Sequence, residues 1–439
     1  MTEPVPPRVL HVSQPNAGGV AVYVGQAACD QRRRGWDVAV ACPAGGDLPE
    51  RCMAAGVPWL HWDAGRGPGP GVLREALRLR GLVRTFAPDV VHLHSSKAGL
   101  AGRLLRRPGG TPTMFQPHGW SWLAATGRQA AASRRWERLA ARWSDALVCV
   151  GAGELSHGMD AGVRGPYRLV RNGVDLRRFV PADAAARLAA RIRLGLPTGA
   201  PLAVCVGRVT RQKGQDVLVE AWPSVVERCP AALLAIVGAG GDPVWTRRDR
   251  SSGIRFVPAV EDPRDWLAAA NVVAMPSRWE GLPLIALEAL AMGRPVVGTD
   301  IPGITEIVRP GLGALVPAED PGALAAQLAV RLQCPEAAER EGRAGAEASA
   351  GYDLAGTLAS LAAVTREVAA GRGGAPDEAR EDASGDTRAV AGALGRTGLA
   401  GTEVVGFAAP VGPAGAAGGV NGAFDGDGGG AVTPPNSSR

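Results

Sequence analysis

A chain of 439 residues is too long for one typical domain and fits two with an appendage. Its seven cysteines, Cys29, Cys42, Cys52, Cys149, Cys205, Cys229 and Cys334, are scattered, odd in number and free of any C-x-x-C pair. They read as reduced thiols of a cytosolic protein rather than a disulfide or zinc framework. The formal charge of +6 suits an anionic partner, but no zinc-finger spacing, RNP aromatics or helix-turn-helix accompanies it, so nucleic acid is not expected. The N-terminal MTEPVPPRVLHVSQ lacks an apolar stretch of signal length and no run of 18 apolar residues occurs, so neither export nor a membrane span is expected.

Short apolar runs alternate with helical patterns from residue 8 onward. Strands are expected at Arg8 to Ser13, Trp36 to Cys42, Asp89 to His94, Pro112 to Gln116, Asp145 to Val150 and Arg168 to Arg171. Helices are expected at Val20 to Arg34, Gly71 to Phe86, Lys97 to Arg107 and Ser133 to Trp143. The pattern restarts with strands at Leu202 to Val206, Ala232 to Val237, Ile254 to Val257, Val272 to Met275 and Pro295 to Thr299, and helices near 214–228, 263–270, 284–292 and 321–333. Such alternation implies parallel sheets wound on both faces, hence an α/β chain of two Rossmann-like halves facing a cleft. The joint is placed near Val174 to Arg191, giving domains at 1–175 and 176–349, with a helix near 350–372 as the last folded element.

From residue 373 the composition changes: 17 of the last 67 residues are glycine and large apolar side chains are few. Such a segment cannot bury enough surface to offset its ordering entropy, so 373–439 is expected to be a disordered tail. Its eight acidic and four basic residues leave about +10 on the preceding body. Asp425-Gly426-Asp427 has the D-x-D form of a metal site but no strand to present it, and it is assigned to chance.

Ligands of open α/β sheets bind beyond the carboxyl ends of the strands, so the loops there carry the argument. Asn16-Ala17-Gly18-Gly19 follows the first strand and opens a helix, where close backbone approach and a positive dipole end favour an anion. After the strand LAVCV comes GRVTRQKG, whose Arg208 and Lys213 flank a short turn and suit a diphosphate. The stretch SRWEGLPLIALEALAMGRPVVGTDIPGITEIV holds Glu280, Gly281 and Leu282 in a loop, Pro283 at a helix start, and Glu288 eight residues after Glu280. A helix N-terminus for phosphate beside carboxylates for hydroxyls points to a nucleotide sugar.

These residues resemble the retaining GT-B glycosyltransferases of family 4. The resemblance rests on the E-x7-E spacing of Glu280 and Glu288, the GR-x4-KG segment and the HG pair of His118 and Gly119. It implies that Glu280 contacts the transferred sugar, Glu288 the ribose, Arg208 and Lys213 the diphosphate, and Gly18 and Gly19 the donor phosphate or acceptor. It implies that His118 lies near the sugar, Gly238 near the nucleotide, Gly303 and Glu306 on the diphosphate side, and Asn172-Gly173-Val174-Asp175 at a hinge, with the last helix crossing back onto the first domain. The implied activity is metal-independent transfer from a nucleoside diphosphate sugar, most often a UDP sugar, to a hydroxyl acceptor. No resident cofactor is implied, because the nucleotide sugar is itself a substrate.

Other readings stand beside this one. Gly238-Ala239-Gly240-Gly241 suggests a dinucleotide loop, but Pro243 stands where its third glycine would be. His92 and His94 share a strand face, yet the sequence offers no evident third ligand, and a structural or substrate-facing role is favoured over zinc. The segment 133–143 sets Trp136, Leu139, Ala140 and Trp143 on one face and Arg135, Arg138 and Arg142 on another, with Trp120, Trp122, Arg103, Arg106 and Arg107 nearby in sequence. That fits a core helix better, but also peripheral contact with an anionic membrane at the inner face of the plasma membrane. A sugar-nucleotide epimerase of the same fold and a non-catalytic binding module remain as alternatives.

Overall fold

A computed structural model describes residues 5–67, 69, 71–104, 110–238 and 253–371. The expected tail, Arg106, Arg107 and most of the second glycine turn lie outside these residues.

The first sheet is entirely parallel, in the order β3-β2-β1-β4-β5-β6-β7. Its strands are β1 (Arg8–Ser13), β2 (Asp37–Cys42), β3 (Trp59–His61), β4 (Val90–His94), β5 (Thr113–Gln116), β6 (Ala146–Cys149) and β7 (Tyr167–Leu169). The helices between them are α1 (Gly19–Arg33), α2 (Asp47–Ala54), α3 (Val72–Phe86), α4 (Ser95–Leu104), α5 (Gly127–Ala140) and α6 (Ala152–Asp160). A second parallel sheet runs β10-β9-β8-β11-β12-β13, from β8 (Leu202–Val206), β9 (Leu233–Val237), β10 (Ile254–Val257), β11 (Val272–Met275), β12 (Val296–Thr299) and β13 (Gly313–Val316). With it go α7 (Ala184–Arg193), α8 (Gln215–Arg228), α9 (Arg264–Ala269), α10 (Leu284–Ala291), α11 (Pro321–Gln333) and α12 (Pro335–Ser349).

The core strands read as continuous apolar runs because both faces are covered: β1, β2, β4 and β11 are almost wholly buried. Each sheet reverses its strand order at one point, β1/β4 in the first and β8/β11 in the second, which is where such sheets open a crevice. The glycine loop after β1 and the basic turn after β8 both sit at these switch points. The last helix, α13 (Leu354–Ala370), returns to the first sheet, where Leu358, Leu361 and Val368 pack with Val90, Met114, Ala146 and Val148.

The expected joint contains more order than its composition suggests. Asp183 accepts from the Ala186 N–H and caps α7, and buried Arg191 binds the carbonyls of Ala269, Thr198 and Ala200. In α12, a Cβ on Gly342 would lie 2.1 Å from the Gly293 carbonyl oxygen, so only glycine allows that helix to approach the end of α10.

The proposed membrane patch loses two of its tryptophans to the core. Trp120 and Trp122 are buried and stack with ring centroids 4.6 Å apart, while Trp136 and Trp143 are half-buried. Arg103 is fully buried as well, 2.7 Å from Glu137 and over the Phe115 ring. A buried pair of this kind needs both members, since either charge alone would be left uncompensated. Among the described residues, no helix is long and apolar enough to cross a membrane.

Candidate active site

On the second sheet, β8 runs straight into Gly207 and Arg208, then a single 3-10 turn over Arg211–Lys213. Gly214 follows at φ +65, and a Cβ there would lie 1.9 Å from the Pro276 carbonyl oxygen, so glycine lets this turn touch the loop after β11. That contact brings the two motifs together. Lys213 Nζ lies 2.6 Å from Glu280 Oε1, and Ser277 Oγ donates to the same oxygen at 2.8 Å. Arg278 fixes the loop from beneath by pairing with Asp216 and Glu319, and Thr299 donates to the Ser277 carbonyl.

Arg208 has no ion pair with a described residue. Burial lowers its pKa, positive Arg66 of the first domain lowers it further, and Glu280 opposes both. The site therefore holds positive charge that the described residues do not neutralise. Gly238, at the end of β9, packs on Gly207: a Cβ there would lie 1.9 Å from the Gly207 carbonyl oxygen. Glu288 sits on α10, where burial raises its carboxyl to a pKa of about 7, with Arg178 pulling it down and Asp262 pushing it up.

The helices α1 and α10 begin opposite each other. Gly18, at φ +77, caps α1, and a Cβ on Gly19 would meet Leu284 Cδ1 at 3.8 Å across the gap. Neither helix carries an acidic residue in its first turn, so both positive ends remain open to an anion.

His118 follows β5 with a left-handed backbone, φ +53, uncommon for a side chain bearing a Cβ and characteristic of functional loops. Buried Glu154, at the start of α6, holds this loop. Its carboxylate accepts from the N–H groups of Gly119 and Val150, and its carbonyl accepts from Trp120 Nε1. Burial raises the Glu154 pKa to about 7 against these hydrogen bonds, with Glu306 adding to the rise. Gly281 packs directly on the loop, since its Cβ would lie 2.9 Å from Val150 Cγ2 and 3.4 Å from the Gly119 nitrogen. His118 and Glu280 are thereby brought to one place from opposite sheets.

Three candidates have structural duties at the joint. Leu282 is buried against Gly151, and its carbonyl accepts from Asn172 Nδ2 at 2.6 Å, so its contacts are between domains. Gly303, at φ +92, lies over the Gly281 carbonyl. Glu306 departs from the expectation of a diphosphate contact: its carboxylate accepts from the Ala152 N–H at 2.7 Å and pairs with Arg171 at 2.6 Å, capping α6 across the joint. The α6 N-terminus lacks a side-chain cap of its own, which explains why a carboxylate is drawn there.

The sequence reading also missed Glu154 and His11. His11 on β1 joins His92 and His94, and ring nitrogens of the three lie within 4.8 Å of one another. The register His11↔His92 puts both on one sheet face, a signal visible only once β1 and β4 are known to pair.

Twin parallel sheets meeting at loops beyond their strands' carboxyl ends form the GT-B architecture. The family described as "Glycosyl transferases group 1" matches residues 200–333, and "Glycosyl transferase 4-like domain" matches residues 18–173. A D-inositol 3-phosphate glycosyltransferase of Xylanimonas cellulosilytica is 34% identical over 348 residues, covering 70% of this chain and 81% of that protein. A GDP-mannose-dependent monoacylated alpha-(1-6)-phosphatidylinositol monomannoside mannosyltransferase of Corynebacterium glutamicum is 36% identical over 200 residues, 42% of this chain and 52% of that one. Among solved structures, the sucrose-phosphate synthase of Thermosynechococcus elongatus superposes with a TM-score of 0.72 at 22% identity, covering 83% of this chain and all of that one. HepE of Anabaena, in complex with UDP and glucose, gives 0.70 at 20% identity, with coverage of 82% and 99%. The chain belongs to the GT-B glycosyltransferases, enzymes of the hexosyltransferase type.

Proposed function

We propose that the protein is a retaining, metal-independent glycosyltransferase that moves a sugar from a nucleoside diphosphate sugar, with UDP as the nucleotide, to a hydroxyl of a phosphorylated polyol, glycan or lipid-linked acceptor. The observation that carries this reading is the cationic Arg208 beside the Lys213–Glu280 pair, close to two helix N-termini that hold no acidic residue in their first turns. A diphosphate would neutralise that charge, with Arg208 and Lys213 acting on the negative charge that grows as the glycosidic bond loosens. Two cations and helix dipoles would then do what a metal does in other classes. Glu280 would hold a sugar hydroxyl, Glu288 the ribose, and His118 would reach the sugar from the first domain. Retention is read as front-face attack, with the leaving diphosphate helping to take the acceptor proton. D-inositol 3-phosphate, named in several relatives, is the first acceptor to test. GDP-mannose, named in another relative, is the second donor reading.

The test is a screen of UDP and GDP sugars by thermal shift and by turnover with inositol 3-phosphate, run with and without EDTA. A UDP sugar should raise the melting temperature and be turned over equally in both conditions. Loss of activity on chelation with rescue by Mg²⁺ rules out the metal-independent mechanism. Isomerised donor without acceptor would identify an epimerase, and binding without turnover a non-catalytic module.

A further inference from the structure

Behind His118 a file of side chains runs into the core of the first sheet. Gln31 Oε1 on α1 lies 2.8 Å from His11 Nε2 on β1, His11 Nδ1 lies 2.9 Å from His94 Nε2 on β4, and His94 Nδ1 lies 3.1 Å from His118 Nε2. The first three residues are completely or almost completely buried, whereas His118 keeps part of its surface exposed. Burial lowers the pKa of His11 to about 4 and of His118 to about 3, and pushes His94 well down, so all three imidazoles are neutral near pH 7. A neutral imidazole carries one N–H and one lone pair.

The direction of the file follows from its inner end. The Gln31 amide is oriented with its oxygen toward His11 and, having no proton there, accepts from His11 Nε2, which leaves His11 Nδ1 to accept. His94 must then donate through Nε2 and accept through Nδ1. His118 in turn donates through Nε2, and its proton-free nitrogen is Nδ1. No described residue hydrogen-bonds to that atom.

We propose that Gln31, His11 and His94 are positioning residues that hold His118 as its Nε2–H tautomer, presenting the Nδ1 lone pair to a hydroxyl of the transferred sugar. The tautomer assignment stands on the hydrogen-bond file together with the orientation of the Gln31 amide at its inner end, whereas the contact to sugar rests on the donor reading given above. The Tyr23 ring, 5.0 Å from His118 edge to face, limits the other direction in which the imidazole could swing. A metal on His11, His92 and His94 is the competing use of this cluster. At 2.9 Å, His11 and His94 are closer than the roughly 3.3 Å between two nitrogens on a tetrahedral zinc with Zn–N bonds of about 2.0–2.1 Å. They share a hydrogen bond instead, and no carboxylate is among the three to offset an ion's charge in so buried a place.

The experiment uses the full chain labelled with isotopic nitrogen in histidine, and reads the side-chain tautomers by long-range proton–nitrogen NMR without substrate. The His118 signals are assigned by their loss in His118→Asn, because asparagine tolerates the left-handed backbone. Protonated Nε2 and bare Nδ1 on His118 are expected, with the same tautomer on His94 and His11. Protonated Nδ1 on His118, or a metal ion bound in stoichiometric amount, would overturn the proposal. The second arm is Gln31→Met, which keeps the volume and removes the acceptor. The His118 signals should then show a mixture of tautomers, and kcat/KM should fall roughly tenfold, the size of one misdirected hydrogen bond. A His118 tautomer unmoved by Gln31→Met would show that the file does not set it. If the tautomers behave as expected while no sugar nucleotide binds, the donor reading fails and the contact to sugar falls with it, leaving only the tautomer assignment.

Discussion

The two halves of the cleft are built from opposite materials. From the first sheet come neutral groups held by burial, with His118 ahead of a file of uncharged imidazoles and its loop fixed by Glu154. From the second sheet come full charges, Arg208 with no ion pair to a described residue and Lys213 paired with Glu280. The difference separates two tasks that conflict. Charge that must respond to a diphosphate works best where it is not already neutralised, whereas a group that must hold one proton position works best where titration is suppressed.

The sharpest way to break this comparison is to remove the charges. Arg208→Ala or Lys213→Ala should lower kcat/KM by roughly 10² or more, about 2.7 kcal/mol of transition-state stabilisation. Lys213→Ala should also lower the melting temperature more than Arg208→Ala, because it leaves Glu280, 7% exposed, without its partner. Steady-state kinetics and calorimetry check both. Unchanged turnover in two folded variants removes the diphosphate role.

A smaller effect comes from Glu288. Its pKa in the folded protein is about 7 against an ordinary 4.5, so the native state binds the proton more tightly than the unfolded chain does. Its contribution to stability is therefore unaffected below about pH 4.5, declines as pH rises toward 7, and is level above. Ribose hydroxyls donating to the carboxylate would favour its ionised form, so nucleotide affinity should rise about tenfold from about pH 6 to about pH 8 and stay flat in Glu288→Gln. Isothermal titration at several pH values checks this. An equal slope in both proteins assigns the proton elsewhere, with Glu154 the next group to test.

The smallest expected effect is at the outer surface. The exposed face of α5 keeps Arg135 and Leu139, the latter 41% exposed, with exposed Arg142 on the 3-10 turn that follows, while Arg138 donates to the Ala161 carbonyl. Sedimentation with anionic vesicles at low salt should be weak and should fall in Arg135→Glu/Arg142→Glu, each charge near such a surface counting for about 1 kcal/mol. If the wild-type protein does not sediment even at low salt, peripheral attachment is wrong and a soluble acceptor is preferred.

What could be read in advance depended on whether the cause was local. Strands such as Ile254–Val257 and Val272–Met275 were legible to the residue because each is a short apolar run between turn residues. The half-exposed edge strand Trp59–His61 and the alanine- and glutamate-rich helix Pro335–Ser349 gave no such contrast. At the site, glycines, cations and paired glutamates stood in recognisable spacing along one loop or turn. The contact of Glu306 could not be read in advance because its partner Ala152 is 154 residues away, nor that of Leu282, because only the fold brings Asn172 to its carbonyl. Gln31 was invisible for the same reason: nothing in the order of residues says that it ends a file beginning at His118.

The stitching of the joint also has a mechanical meaning. Glu306 to Ala152 and Arg171, and Asn172 to Leu282, cross the joint beside the place where Gly281 meets the His118 loop, while Arg51 of α2 meets Glu261, 87% exposed, at a separate crossing. Buried, hydrogen-bonded crossings yield less readily than one exposed ion pair, so the joint would loosen first at Arg51 and Glu261. The sugar-contacting end near Gly281 would thus move least, and a spent nucleotide would leave by the side that loosens first while the reacting centre stays nearly in register.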